Sequence, residues 1–210
     1  MARGRKVYGL VPQDSTSIAY TANPYDPQED LLQVIEQTDL LPVHALDVTI
    51  NYLDGTKRKI DVYSTLSINR DSGQAAMMDL TGRFNGAAQT VRVIGEGIAF
   101  STPLGSTGQG YSNGGAIIGP ALPAIIFTGI GLGRPRGMNP IVATGADSFS
   151  VQCIVSQGKR PLRIDYDGNS IRPVTDNPAV CVDIALNQTP GAMLVVRTGA
   201  FHPFKRLELP

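Results

Sequence analysis

The sequence predicts a mainly β protein, a two-layer antiparallel β-sandwich with one helix near its N-terminus. Three observations support this fold class. The 210 residues include 23 glycines and 15 prolines without a regular period, which is typical of many turns. Short runs alternate apolar and polar residues and are separated by Asn-Gly and Asp-Gly pairs, as in β-hairpins. Only one segment has the apolar spacing of a helix.

The predicted helix covers residues 27–37. Asp26 is placed to cap its N-terminus, and Pro27 suits the first helical position. Apolar residues between positions 31 and 35 form one side of the helix. We therefore expect this helix to cover a sheet.

The clearest hairpin joins a strand over residues 46–52 to a second strand ending near Val62, through the turn at Asp54-Gly55. A second hairpin is predicted around Asn85-Gly86. A third is predicted around Gln157-Gly158, joining residues 150–156 to residues 162–166. Further β-type runs cover residues 170–174, 179–186 and 192–198. Such closely spaced strands, with no linker between them, predict one domain over residues 1–210.

The charge pattern excludes several function classes. The 18 Lys and Arg residues balance 18 Asp and Glu residues and are scattered, so nothing indicates a nucleic-acid partner. The basic N-terminus is not followed by an apolar stretch, so export is not predicted. The uncharged residues 97–133 contain three prolines and ten glycines, which argues against a membrane span. We expect a cytoplasmic protein without a membrane partner.

Cysteine and histidine usage predicts no metal site. Cys153 and Cys181 form no CxxC pair and are interpreted as reduced core thiols. His44 and His202 are too few for a histidine-based metal site or a triad, and each is assigned a structural or surface role. The glycine-rich run at 129–137 is interpreted as a solvated connection, with contact to an anion left open.

Residues 95–118 are the segment that carries a functional signal. A strand ending near Phe100 leads into a loop rich in hydroxyls and glycines, where a ligand can approach backbone N–H groups closely. Such a surface suits ribose and phosphate oxygens. Glu96 adds a carboxylate that could accept ribose hydroxyl hydrogen bonds. The residues alone fit a glycine-rich structural loop with satisfied hydroxyls equally well.

This loop resembles the second signature of the NAD kinase (ATP-NAD kinase) family, Asp-Gly-x-x-x-(Ser/Ala)-Thr-Pro-Thr-Gly-Ser-Thr-Ala-Tyr-Ser-x-Ser-x-Gly-Gly-Pro-Ile. The matching residues stand in order without a gap: Ser101-Thr102-Pro103, Gly105-Ser106-Thr107, Ser112 and Gly114-Gly115. Weaker likenesses to the family lie at residues 20–23, 120–125, 164–168 and 201–206.

The resemblance implies a mainly β, NAD-binding C-terminal domain of the NAD kinase type. It implies NAD or NADP as the bound dinucleotide, with NAD as substrate or ligand, and a homo-oligomer. The NAD-binding residues carried over from the family's motifs are Glu96, Gly105, Ser106, Thr107, Gly108, Gln109, Ser112, Asp165 and Tyr166.

The sequence also departs from the family. It contains no Gly-Gly-Asp-Gly, the signature whose aspartate is the family's expected base for the ribose 2′-hydroxyl and whose glycines face the ATP phosphates. The family's Asn-Glu pair falls at Ser64-Thr65, its Ala-Tyr at Gly108-Gln109, and its opening Asp at Glu96. No catalytic residue is therefore assigned, and whether the chain is an enzyme by itself is left open. ATP and Mg²⁺ are expected only with a partner half that carries Gly-Gly-Asp-Gly.

Three functions follow from these observations. The first is the NAD-binding half of an ATP-dependent NAD 2′-phosphotransferase, working with a separately encoded or removed ATP-binding half. The second is a non-catalytic dinucleotide-binding or regulatory module, which the loss of the Asn-Glu and Ala-Tyr elements favours. The third is a structural, oligomer-forming domain with the glycine loop at a subunit interface.

Overall fold

The computed structural model describes residues 5–7, 9–11, 23–24, 26–36, 38–154 and 160–197. Within these ranges no helix is long and apolar enough to cross a membrane. The elements before the main body are β1 (Arg5–Val7), β2 (Leu10–Val11), β3 (Asn23–Pro24), α1 (Leu31–Glu36) and β4 (Thr38–Val43). The elements that follow are β5 (Leu46–Tyr52), β6 (Lys57–Val62), β7 (Thr65–Arg70), β8 (Ala76–Phe84), β9 (Ala87–Ser101), a 3₁₀ turn (Leu104–Thr107), α2 (Gln109–Ser112), β10 (Ala124–Arg134), β11 (Ile141–Thr144), β12 (Ser148–Cys153), β13 (Leu162–Tyr166), β14 (Asn169–Ile171), β15 (Ala179–Leu186) and β16 (Ala192–Arg197).

Strand β9 connects the two layers of the main sheet. Along one edge its residues 87–95 pair with β8 and its residues 97–101 pair with β7, while β10 runs along the other edge. The first layer has the order β8-β12-β15-β5-β6, and the second has the order β14-β13-β7-β9-β10-β11. All these neighbours are antiparallel. The predicted mainly β, antiparallel fold is confirmed.

An apolar core fills the space between the layers. Side chains alternate between the faces of a strand, so every second residue of the facing strands points into this core. Three buried rings meet near its centre: Phe149 from the first layer lies 5.2 Å from Phe100 and 6.1 Å from Phe127 of the second layer, between ring centroids. The other fully buried large residues of the core are Leu46, Ile50, Leu66, Ile68, Met78, Ile98 and Ile125.

A smaller sheet lies beside one end of the sandwich. It has the order β1-β16-β4, with β1 parallel and β4 antiparallel to β16. Its residues Val43 and Leu194 form a second apolar cluster with Tyr63, against which Leu104 and Ile117 pack. The small sheet therefore supports the loop between β9 and β10 from one side. Strands β2 and β3 form a further short parallel pair.

The first two predicted hairpins are confirmed. Strands β5 and β6 pair directly, and Gly55 in their connection has φ of 84°. Strands β8 and β9 are joined by Asn85 and Gly86, with φ of 51° and 82°. Two successive positive φ values are what a two-residue hairpin turn requires, so local turn chemistry determined the β8–β9 pairing.

The third predicted hairpin is wrong. Strand β12 pairs with β8 and β15 in the first layer, whereas β13 pairs with β7 and β14 in the second. The predicted turn at Gln157-Gly158 lies outside the described residues. Strands β12 and β13 therefore lie in different layers and do not pair with each other.

The N-terminal helix is shorter than predicted. It begins at Leu31 and not near Pro27, because the Asp30 carboxylate accepts the Leu32 N–H at 3.0 Å. Asp26 instead accepts the Gln28 N–H at 2.9 Å and stabilises a preceding turn. Helix α1 lies beside β16.

Strands β7, β10 and β11 were not predicted. The interpretation of residues 129–137 as a solvated connection is corrected for the part up to Arg134, which belongs to β10. The glycines there permit a close approach of two backbones, because a Cβ on Gly95 would lie 2.6 Å from the Gly131 carbonyl oxygen. Because glycine has a low propensity for β-strands, the sequence pattern of this segment indicated a loop and not a strand.

The two cysteines differ in their surroundings. Cys153 lies in the core, as predicted, but Cys181 is only partly buried and its thiol contacts Ser150 and Asp183. Burial raises the pKa of the Cys153 thiol to about 12, with the nearby Cys181 as a smaller cause.

We expect this buried thiol to make stability fall in alkali. Between about pH 9 and pH 12 the unfolded state releases the Cys153 proton while the folded state keeps it, which lowers the free energy of unfolding by up to about 1.4 kcal/mol per pH unit. Urea unfolding at pH 8 and pH 10 should show wild type losing about 1–2 kcal/mol more than Cys153→Ala. Equal losses in both proteins would contradict this expectation.

Candidate nucleotide site

The outer face of the second layer is lined by polar and small residues. Residues opposite each other in an antiparallel register share a face. Ser67 on β7 therefore shares the outer face with Ala99 on β9 and Asp165 on β13, and Thr65 shares it with Ser101. Leu66, Ile68 and Ile98, at the alternate positions, face the core.

The loop after β9 folds down over this outer face and is held by hydroxyl groups. The Thr102 N–H donates to the Ser64 carbonyl oxygen at 2.9 Å, and the Thr102 hydroxyl donates to the Tyr63 carbonyl oxygen at 2.6 Å. The Ser106 hydroxyl donates to the Pro103 carbonyl oxygen at 2.6 Å and accepts the Ile118 N–H at 3.1 Å. These bonds close the loop on itself and attach it to the segment between β6 and β7.

Glycine is required where this loop meets that segment. A Cβ on Gly105 would lie 2.2 Å from the Ser64 carbonyl oxygen, a distance at which the backbone would have to move. The signature glycine therefore has a packing reason that does not depend on any ligand.

A cavity of about 250 Å³, which we call the site pocket, opens between the loop and the turn after β13. Its wall contains hydroxyl groups, one side-chain amide and two carboxylates. The lining residues are Ser64, Thr65, Ser67, Gln109, Asp165, Tyr166, Asp167 and Gly168.

Asp165 is held as an anion by its neighbours. It accepts hydrogen bonds from Arg163 Nε at 2.8 Å, from Asn69 Nδ2 at 3.0 Å and from the Ser170 hydroxyl. Partial burial alone would raise the pKa of Asp165, but these three hydrogen bonds together outweigh it and lower the pKa below its ordinary value. Asp165 is therefore a hydrogen-bond acceptor and a weak base.

The structure brings three of the predicted NAD-binding residues to the site pocket: Gln109, Asp165 and Tyr166. Gly105, Ser106 and Thr107 are buried in the 3₁₀ turn behind it. Gly108 and Ser112 are exposed, and the Ser112 hydroxyl donates to the Gly108 carbonyl oxygen at 3.3 Å.

Glu96 does not lie with these residues. It stands on the face of β9 that carries Ile98 and Phe100, opposite the face that the loop covers. Its carboxylate forms an ion pair with Arg70, whose guanidinium also donates to the carbonyl oxygens of Ser72 and Gly73. The structure therefore gives Glu96 a partner within its own layer.

Thr107 retains hydrogen-bonding capacity that the described residues do not use. The residue is 6% exposed, and within the described ranges its hydroxyl has no hydrogen-bond partner. Asn113 Nδ2 and the Thr128 hydroxyl are also buried, and they too have no hydrogen-bond partner among the described residues. Buried polar atoms without partners are costly, so such atoms mark positions for a water molecule or a ligand group.

The sequence pattern missed several residues of the site. Ser67 lies on the unpredicted β7, and Ser64 and Thr65 were noted only as the positions of the family's Asn-Glu pair. Arg58 on β6 does not line the site pocket, but its Nη2 donates to the hydroxyl of Tyr166, which does, at 3.1 Å. No local signal could have found Arg58, because it meets Tyr166 only through the stacking of the two layers.

Residues 67–196 match the family model of the ATP-NAD kinase C-terminal domain. The chain belongs to this family. The match covers β7 to β16 and includes the whole loop between β9 and β10. In this part of the chain, the resemblance that the signature indicated is confirmed.

Relatives of this chain are NAD kinases. The chain is 27% identical to the NAD kinase of Xanthomonas oryzae pv. oryzae over 176 residues, which is 83% of this chain and 66% of that protein. It is 26% identical to the NAD kinase of Rickettsia prowazekii over 168 residues, which is 80% of this chain and 63% of that protein. The chain thus spans slightly less than two thirds of the length of these two relatives.

Solved structures show the same fold. Yeast NADH kinase, crystallised with NADH, is 18% identical with a TM-score of 0.78 over 99% of this chain and 59% of that one. The NAD kinase of Archaeoglobus fulgidus, crystallised with ATP, is 17% identical with a TM-score of 0.62 over 88% of this chain and 68% of that one.

Across the described ranges no three His, Cys, Asp or Glu side chains come together to hold a metal ion. The hydroxyl and amide groups of the site pocket are donors and acceptors that suit a sugar or a base.

Substitution of Gly105 by Ala should disrupt the attachment of the loop. The added methyl group meets the Ser64 carbonyl oxygen, so we expect a loss of about 1–3 kcal/mol in the free energy of unfolding. Gly119→Ala in the same loop is the control, because its Cβ would meet Leu122 Cδ1 at 4.0 Å, an ordinary contact. Chemical denaturation measures both variants, and equal stabilities would contradict the expectation.

Proposed function

We propose that this chain is the NAD-binding part of an ATP-dependent NAD 2′-phosphotransferase, whose ATP-binding half lies outside these residues. One observation carries the proposal. Gln109 from the signature loop and Asp165 and Tyr166 from β13 line one pocket, although the sequence brings them from distant segments. Their assignment as nucleotide contacts came from the family's motifs, and their meeting in one cavity supports it.

The chemistry of the site pocket suits a nucleoside. An ionised carboxylate has about four acceptor positions, and Asp165 uses three of them, so one remains for a ribose hydroxyl. The exposed amide of Gln109 can both donate to and accept from a base or a carboxamide.

These residues do not complete a phosphotransferase. Phosphoryl transfer requires an oriented nucleophile and charge stabilisation around the moving phosphate. Asp165 is a weak base, and the Asp167 carboxylate accepts three backbone N–H groups. The proposal therefore assigns the base and the groups that hold ATP to another part of the enzyme. The greater length of the related kinases is consistent with such a part.

A non-catalytic dinucleotide-binding or regulatory module is the second candidate. It is favoured by the replacement of the family's Asn-Glu and Ala-Tyr elements by Ser64-Thr65 and Gly108-Gln109, which removes polar and aromatic contacts. A purely structural domain is the third candidate. The expected homo-oligomer and cytoplasmic location stay predictions.

Gln109 should contribute to NAD binding directly. We expect Gln109→Ala to raise the Kd for NAD by about fivefold to tenfold, since a lost hydrogen bond costs about 1–1.4 kcal/mol. Titration calorimetry measures this. Gln152→Ala removes another exposed amide, from the outer face of the first layer, and should leave the Kd unchanged. An unchanged Kd for Gln109→Ala would remove this residue from the site.

Thr107→Val separates a ligand role from a structural one. The hydroxyl has no partner in the described part of the chain, so replacing it with a methyl group should leave the free energy of unfolding unchanged or slightly higher. If the hydroxyl serves the ligand, the Kd for NAD should rise at the same time, by roughly tenfold. Thr175→Val, at an exposed turn, is the control. Lower stability with unchanged affinity would contradict the ligand role.

The activity itself is tested by mixing the chain with NAD, ATP and Mg²⁺, with and without a Gly-Gly-Asp-Gly domain from a related kinase. NADP formed only in the presence of that domain would support the first proposal. NAD binding without turnover in either mixture would support the regulatory module instead. Absence of both NAD binding and turnover would support the third candidate, a purely structural domain.

A further inference from the structure

The segment at residues 63–65 carries the chain from β6 in the first layer to β7 in the second. A segment that changes layers leaves the regular hydrogen bonding of one sheet before it joins the next, so its backbone N–H groups need other partners. All three find one in the same side chain. Asp167 Oδ2 accepts the Tyr63 N–H at 2.7 Å, and Asp167 Oδ1 accepts those of Ser64 at 2.8 Å and Thr65 at 3.2 Å.

The carbonyl groups of this segment are held as well. Tyr63 and Ser64 accept hydrogen bonds from Thr102 of the signature loop, and the Thr65 carbonyl oxygen accepts the Asp167 N–H at 3.3 Å. The segment is thus fixed between two elements, the loop after β9 on one side and the turn after β13 on the other. Its Ser64 and Thr65 form one wall of the site pocket.

We propose that Asp167 is a positioning residue of the nucleotide site, which sets the Ser64-Thr65 wall against the ligand through its three backbone hydrogen bonds. The proposal rests on the proposed function for the identity of the ligand. Hydrogen bonds from N–H groups to a carboxylate are about twice as strong as neutral ones, so this clamp holds the wall firmly. Ser64 and Thr65 stand where the family's Asn-Glu pair falls. The position of this wall should therefore affect the affinity for the ligand.

Turn formation alone does not require a carboxylate at this position. Asp167 has φ of 43° and Gly168 has φ of 79°, the conformation of a two-residue hairpin turn between β13 and β14. Asn and Gly suit the first position of such a turn at least as well as Asp. The carboxylate is needed instead because the amide of Asn has one acceptor oxygen, and its NH₂ group would face a backbone N–H.

The test uses Asp167→Asn and Asp167→Gly, which both preserve the turn: the first removes the acceptor for the Tyr63 N–H, and the second removes all three acceptor contacts. Asp176→Asn, in an exposed turn between β14 and β15, is the matched control. Calorimetry measures the Kd for NAD at a temperature where every variant is folded, and NMR measures amide hydrogen exchange at residues 63–65. We expect both Asp167 variants to exchange these amides at least tenfold faster and to bind NAD roughly tenfold more weakly.

A double-mutant cycle shows whether Asp167 acts through the wall. Ser64→Ala should weaken NAD binding in the wild-type background and have little further effect in Asp167→Asn, because the wall is already displaced. Fully additive losses would overturn the positioning role. NAD affinity within twofold of wild type in both Asp167 variants, or unchanged amide exchange, would overturn it too. Absence of NAD binding by the wild-type chain would instead overturn the proposed function on which it rests.

Discussion

The structure depends on the exchange of partners along one edge of β9. The first part of this 15-residue strand pairs with β8 and the last part with β7, while β10 runs along its other edge. The exchange makes one strand a member of both layers, so its core face brings Phe100 against Phe149 of the opposite layer. Its outer face carries Gly97, Ala99 and Ser101, and Gly110 of the following loop packs closely against Ser101.

The same constraint creates the site. The loop after β9 folds back over β7 and attaches to the segment at residues 63–65, where the chain changes layers. A pocket remains between these elements and the turn after β13, lined by hydroxyls, an amide and two carboxylates. The carboxylates are already hydrogen-bonded, Asp165 by side chains and Asp167 by backbone N–H groups. They order the walls of the pocket, which fits a role in binding better than a role as a base.

Much of the fold could be predicted where local chemistry determines pairing. Asn85-Gly86 and the connection at Gly55 favour hairpins whatever surrounds them, and both hairpins form. The strand pattern at residues 150–153 and 162–166 was also correct, but the pairing between these strands was not, because their partners come from distant parts of the chain. Strand β10 was missed since its glycines resemble a loop, although they allow its backbone to approach β9 closely.

The sequence by itself determined the mainly β class and the signature loop with its family relationship. It also named Gln109, Asp165 and Tyr166 as nucleotide contacts, and the structure places all three at one pocket. Only the tertiary structure decided that Glu96 pairs with Arg70 on the other face of β9, and that Arg58 meets Tyr166 across the layers. The physical reason is that alternation along a strand predicts which side chains share a face but not which strand lies beside it. Packing over the whole core determines which strands become neighbours. The same packing therefore determines which residues line the pocket.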